Sequence, residues 1–199
     1  SLFCVPILKS LHQNGYNIAA VYTQPPQKSH RGQKINKSPI QIVSETLNME
    51  YRTPKTLKDN SEEYKLIKKL DADLAIVCAY GQIIPKNFLN LVKKGFINIH
   101  SSILPSWRGA APIQRSIMNL DPETGISIMK INEELDSGPV SNIYKIKIDP
   151  SQNAEEISEI LSNLAAEKIL DNINDILADK AKFIDQDHSK ATYAKKIRK

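Results

Sequence analysis

The run Leu74-Ala75-Ile76-Val77-Cys78-Ala79 constrains this chain most: it is apolar throughout, with no polar face, as expected of a central parallel strand buried on both sides. Ile18 to Tyr22 and Gly95 to Ile99 read as further strands. Two later strands fit Gly125 to Ile131 and Val140 to Ile148, the last alternating through Ile143, Lys145, Ile146, Lys147 and Ile148. Helical spacing separates these runs. One helix spans Leu2 to Asn14 and stops at Gly15, which suits the left-handed C′ position. Another opens with Ser38 as N-cap, Pro39 at the first turn and Gln41 placed to close a capping box. From Ala154 to Ala178 the apolar positions Ile157, Ile160, Leu161, Leu164, Ile169, Ile173, Ile176 and Leu177 form one stripe. The alternation predicts an α/β fold, a Rossmann-like, mostly parallel sheet with helices on both faces.

At 199 residues the chain has room for one substantial core and is short for two. No apolar stretch approaches the ~20 residues that span a bilayer, which argues against membrane insertion. The opening Leu2 to Leu8 lacks a basic n-region and a small-residue cleavage site. Cys4 and Cys78 sit in apolar contexts, as small buried residues do, and a reducing cytoplasm fits them better than a disulfide or a metal. A net charge of +5 suits an anionic partner without identifying one. Paired CxxC, HExxH, Walker and GxGxxG patterns are all missing, and the histidines at 12, 30, 100 and 188 are scattered, so no metal is expected.

Polar types appear abruptly at the end of the Gly95-Phe96-Ile97 run. Asn98 and His100 are two apart on a strand and therefore face one space. An amide can donate to a developing oxyanion, and an imidazole of ordinary pKa near ~6.5 can move a proton at neutral pH. Alone, an Asn-x-His pair favours a structural reading, a strand-end cap beside a satisfied histidine.

The residues that follow change that weighting. Asn98-Ile99-His100, Ser102-Ile103-Leu104-Pro105 and Trp107-Arg108-Gly109-Ala110-Ala111-Pro112-Ile113-Gln114-Arg115 together resemble the signature of the folate-dependent formyltransferases. A second block, Glu123 to Lys130 and then Leu135-Asp136-Ser137-Gly138-Pro139, matches that family's later motif in order and distance. The likeness also takes in Tyr22 to Pro25 with Arg31-Gly32, Ser38-Pro39, Ala79-Tyr80-Gly81 with Pro85, and Thr192-Tyr193-Ala194, so it runs over nearly the whole chain. Ile103 replaces the usual Leu, a near-isosteric change, and Ser101 stands where Gly or Pro is common.

The resemblance implies a formyltransferase fold and three catalytic residues. Asn98 would bind the formyl oxygen, His100 would accept a proton or assist at the oxyanion, and Asp136 would orient His100 or a proton-carrying water. Locally, Asp136 reads equally well as an Asx-turn aspartate. Ser102, Ile103, Leu104 and Pro105 would wall and contact the pterin and formyl group of 10-formyltetrahydrofolate, the donor co-substrate. In the basic loop Gln24 to Lys37, Arg31 and Lys34 would meet the acceptor end of a tRNA. Trp107 could stack on a ligand, and Arg108 and Arg115 suit anion contacts; Asp121 before Pro122 starts a turn. The Trp-Arg-Gly-Ala-Ala-Pro run is similar to members that formylate methionyl initiator tRNA for translation initiation. A sugar-nucleotide or glycinamide ribonucleotide N-formyltransferase is the alternative enzyme, and a non-catalytic folate- or RNA-binding remnant the alternative of another class. A cytoplasmic monomer is expected. Both ends look cut, since the family places a first strand before Phe3 and a tRNA-holding β-barrel after Ala194.

Overall fold

The computed structural model describes residues 1–28 and 35–197. A 3₁₀ turn, Leu2–Cys4, leads into α1, Val5–Gln13. Then come β1, Val21–Tyr22; β2, Gln27–Lys28; β3, Ile35–Asn36; α2, Pro39–Thr46; β4, Tyr51–Arg52; α3, Ser61–Leu70; and β5, Ala75–Val77. After α4, Lys86–Leu89, the chain forms β6, Phe96–His100; β7, Arg108–Gly109; α5, Pro112–Met118; β8, Glu123–Lys130; and β9, Val140–Lys147. The long α6, Ala154–Leu177, precedes a 3₁₀ turn, His188–Lys190, and β10, Tyr193–Ala194.

The α/β class holds, but the sheet is mixed and divided. Strands β5, β6, β8 and β9 form one sheet in that order, parallel between β5 and β6 and antiparallel at the next two pairings. Parallel β1 and β4 form a separate pair, as do antiparallel β2 and β3. The expected mostly parallel sheet is corrected in this respect, for two physical reasons. The connection 131–139 between β8 and β9 is too short for the crossover of a dozen or more residues that parallel neighbours need. Moreover, β8 is buried at every position from Thr124 to Met129. A strand covered on both faces reads as a continuous apolar run whichever way its neighbours point.

The main core lies between this sheet and the pair α1 and α6. Along α6 the residues Ile157, Leu161, Ala165, Ile169, Ile173 and Ile176 recur every three or four positions and are almost wholly buried against Phe3, Ile7, Ile97, Ile99, Ile126 and Ile128. Ile160 and Leu177, assigned to the same stripe from sequence, stand at its exposed margin. Asn153 caps α6, its side chain accepting from Glu155 N and Glu156 N while Glu156 reaches back to Asn153 N. The box expected at Ser38 is only half formed. Ser38 Oγ accepts from Gln41 N at 3.0 Å, but the Gln41 side chain turns to Glu45 and Tyr51. Gly15, with φ +77°, follows Asn14 at the end of α1 as expected. Cys4 and Cys78 are free thiols, and Cys4 Sγ donates to the Cys78 carbonyl at 2.9 Å. Among the described residues no helix is long and apolar enough to cross a membrane.

An ion pair fastens α3 to the β1–β4 pair. Arg52 makes a two-pronged contact with Glu63, Nη2 to Oε1 at 2.7 Å and Nε to Oε2 at 2.8 Å, and Tyr22 OH donates to Glu63 Oε2 at 2.9 Å. Burial pushes the Glu63 carboxyl up, yet the Arg52 and Tyr22 hydrogen bonds outweigh it and hold the group below its ordinary value. Burial and the same carboxylate keep the Tyr22 phenol well above its usual range. A carboxyl with a depressed folded pKa contributes stability that is present above its unfolded value of ~4.3 and is lost as pH falls through the folded value. We therefore expect Glu63→Gln to cost about 1–3 kcal/mol near neutral pH, and the deficit to shrink as urea unfolding is repeated below about pH 4. A deficit that does not change with pH would show that the carboxylate charge is not what stabilises the contact.

Candidate active site

Strand β6 places the amide of Asn98 and the imidazole of His100 on one side, as a repeat of two requires. What brings them together is Asp136, carried on the loop after β8. Asn98 Nδ2 donates to Asp136 Oδ1 at 3.2 Å, and His100 Nδ1 lies 3.7 Å from Asp136 Oδ2. The backbone N–H of Gly109 completes the cluster, donating to Asp136 Oδ2 at 2.8 Å. Asp136 adopts φ +47°, a left-handed conformation that aspartate tolerates better than most residues. Two residues on, a Cβ at Gly138 would overlap the Lys130 carbonyl oxygen, so the glycine of Leu-Asp-Ser-Gly is a packing requirement.

The tautomer of His100 follows from its neighbours. Nε2 lies 2.9 Å from the Trp107 carbonyl, which only accepts, so Nε2 carries a hydrogen and Nδ1 is the nitrogen left to exchange a proton. His100 is 6 % exposed, and no second carbonyl competes for Nδ1 among its hydrogen bonds to described residues. Trp107 presents its carbonyl from φ +60°, an unusual conformation for a bulky residue. Three contacts hold it there: N donates to Thr192 Oγ1 at 2.8 Å, Nε1 to Asp121 Oδ2 at 2.7 Å, and the carbonyl meets His100. Trp107 and Asp121 thus brace the site together.

The segment Ser102-Ile103-Leu104-Pro105 begins directly beyond His100. Ser102 and Leu104 turn inward and are buried, whereas Ile103 and Pro105 are half-buried and face outward. Ser102 Oγ donates to the Ser106 carbonyl at 2.6 Å. Of the four side chains, those of Ile103 and Pro105 are the ones left partly open to solvent. Arg108, considered from sequence as an anion contact, is 2 % exposed and bonded to Gln186, and Arg115 donates to the Lys195 carbonyl. Arg31 and Lys34 lie outside the described residues. Among the described residues no group of three or more His, Cys, Asp or Glu is placed to hold a metal ion.

Ser127, overlooked in the sequence, sets the height of this loop. Its Oγ donates to the Ser102 carbonyl at 2.7 Å and accepts from Leu104 N at 3.1 Å, all within a fully buried setting. A lone hydroxyl in the apolar run of β8 was the available signal, because buried polar groups have partners. Gln186 and Thr192 sit in a polar stretch that carries no such signal. Ser127→Ala leaves one donor and one acceptor buried and unpaired, which we expect to lower unfolding free energy by about 1–3 kcal/mol in denaturant titration. A loss within experimental error would mean that the loop holds its place without the hydroxyl.

Comparison with known proteins identifies the family. The profile of the formyl transferase family matches residues 1–173. A methionyl-tRNA formyltransferase of Pelagibacter ubique is 68 % identical over 197 residues, 99 % of this chain and 64 % of that protein. One of Coxiella burnetii is 42 % identical over 197 residues, covering 99 % of this chain and 62 % of that protein. The chain thus spans somewhat less than two thirds of the length of these curated relatives. Among solved structures, a phosphoribosylglycinamide formyltransferase from Bacillus halodurans superposes with a TM-score of 0.74 at 16 % identity, over 89 % of this chain and 90 % of that one. A 4-N formyltransferase from Francisella tularensis superposes with a TM-score of 0.64 at 28 % identity, over 78 % of this chain and 60 % of that one. With the family profile spanning most of its length and the two motif blocks meeting at Asp136, this chain belongs to the formyl transferase family.

Proposed function

We propose that this chain transfers the formyl group of 10-formyltetrahydrofolate to the α-amine of methionine on initiator tRNA, a step of translation initiation. The observation that carries the acceptor is the 68 % identity to a relative of that name along nearly the whole chain. The chemistry is supported by the cluster of Asn98, His100 and Asp136. All three groups come from one chain, which suits a monomer, and the acceptor belongs to the cytoplasm.

10-Formyltetrahydrofolate, consumed as a co-substrate, supplies a formyl carbon that an amine can attack. Asn98 spends one amide hydrogen on Asp136 and has its second for the formyl oxygen, whose negative charge grows as the amine nitrogen bonds to carbon. His100 takes the proton that the nitrogen sheds, at Nδ1, because Nε2 is held by Trp107. The imidazolium so formed faces Asp136 Oδ2 across 3.7 Å, an attraction absent before the proton moves. Collapse of the tetrahedral carbon breaks its bond to N10 of the folate, which takes the proton held by His100, giving formylmethionyl-tRNA, tetrahydrofolate and a neutral imidazole. Ile103 and Pro105 offer the apolar surface beside this position on which a pterin can lie.

Formyl transfer from 10-formyltetrahydrofolate to methionyl initiator tRNA tests the assignment directly. An amino-sugar nucleotide or glycinamide ribonucleotide formylated in place of the tRNA would overturn it, as would a folded protein that formylates none of the three. We expect Asn98→Ala to lower kcat by about 10²–10³ and to leave the thermal midpoint nearly unchanged, since the half-buried amide gives one hydrogen bond, to Asp136, and the backbone pairing of β6 does not depend on it. Turnover within a few-fold of the parent would remove Asn98 from the oxyanion role.

A further inference from the structure

Beyond α6 the chain returns across the two loops that form the site. Ile184 exchanges backbone hydrogen bonds with Val140 at 2.8 and 2.9 Å, and β10 pairs in parallel with β7. Arg108 N donates to the Thr192 carbonyl at 2.8 Å and Ala110 N to the Ala194 carbonyl at 2.9 Å. Gly109 N, lying between them, is left for the Asp136 carboxylate. Gly109 itself has φ +114°, and a Cβ there would lie 3.0 Å from the Ala194 carbonyl oxygen. The segment 184–194 is thus a strap lying on both catalytic loops, and all of it is outside the part matched by the family profile.

One side chain of the strap is buried at their junction. Gln186 is 8 % exposed, and its Nε2 donates to the Asp136 carbonyl at 3.0 Å and the Gly138 carbonyl at 2.7 Å. Its Oε1 accepts from Arg108 Nε at 3.1 Å and Nη2 at 2.8 Å. Because a guanidinium only donates, Arg108 fixes which end of the Gln186 amide faces the loop. His188 Nδ1 lies 3.4 Å from both Arg108 Nη1 and Nη2, and among the described residues no carboxylate lies within ion-pair distance of this buried cation. Every hydrogen-bonding position of the Gln186 side chain is therefore occupied, two of them on the backbone that carries Asp136.

We propose that Gln186 is a positioning residue for formyl transfer: by bonding the Asp136 and Gly138 carbonyls it holds the Asp136 carboxylate against Asn98, His100 and Gly109 N. The proposal rests on the formyl-transfer reading, and its tests separate the two. Gln186→Glu is the informative variant. Its carboxylate keeps a partner for Arg108 but loses both hydrogens donated to the loop, placing acceptor against acceptor. The strap stays anchored while the loop is released.

Amide hydrogen exchange of the full chain, followed by NMR, reads the geometry without any substrate. We expect Gly109 in Gln186→Glu to exchange at least ~10-fold faster, while Arg108 and Ala110, which bond the strap backbone, keep the parent rates. In formyl transfer, kcat should fall ~10–100-fold with KM for donor and tRNA little changed, since a misplaced group costs turnover more than binding. In an Asp136→Ala background the same substitution should cause no further loss. Unchanged Gly109 exchange overturns the proposal. So does equal acceleration at Arg108, Gly109 and Ala110, or a kcat loss that multiplies with that of Asp136→Ala, because Gln186 would then only fasten the strap. If the parent transfers no formyl group but Gly109 alone is released, the functional reading fails and the positioning role stands. If Gln186→Glu does not fold, Gln186→Met, neutral and similar in volume, takes its place; since it also removes the Arg108 acceptor, the expected result is that Gly109 accelerates more than Arg108 and Ala110, and equal acceleration of the three overturns the proposal.

Discussion

The site depends on one carboxylate. Among the described residues Asp136 is the group on which Asn98, His100 and Gly109 N converge, and these partners arrive by two constraints: Asn98 and His100 from the period of β6, Gly109 N from β7. An amide, a backbone N–H and an imidazole thus converge on the two oxygens of one carboxyl group, which ties β6, β7 and the 131–139 loop together at a single point. The antiparallel pairing of β6 with β8 brings the chain back past His100 before the loop that carries Asp136. The short loop from β8 to β9 then limits how far that residue can wander.

Order in the binding segment has a different origin. Ser102 and Leu104 are locked inward through Ser106 and Ser127, so the segment forms a shaped rim with Ile103 and Pro105 as its outer face. A rim built this way has a fixed backbone, so any group placed against it would meet little ordering cost there.

Much of this was legible in residues 98–139, because the chemistry there is written in a period of two and in motifs that specify order and spacing. Asn98 and His100 share a face, and Asp136 comes to them as the two blocks imply. Strand direction was not legible, because Ile126 to Met129 are buried whether β8 runs parallel or antiparallel to its neighbours. The reciprocal cap was expected at Gln41 and found at Asn153, since Gln41 had a better partner in Glu45, a residue no local pattern nominates. Arg108 reads as a surface cation until its partner Gln186 is known, and that partner is 78 residues away. Local patterns report what the backbone does nearby, and long-range polar pairing is decided only when the chain closes.

That closure has an order in time. Trp107 waits for Thr192, 85 residues downstream, and the core waits for α6, whose Ser162 bonds the Phe3 carbonyl 159 residues upstream. Contacts so distant along the chain form late and make folding slow. During synthesis the catalytic loops leave the ribosome long before the strap that braces them. A growing chain that already holds Asn98, His100 and Asp136 still lacks the backbone bonds that Thr192 and Ala194 accept from Arg108 and Ala110, so the cluster takes its final form only as the last described strand docks.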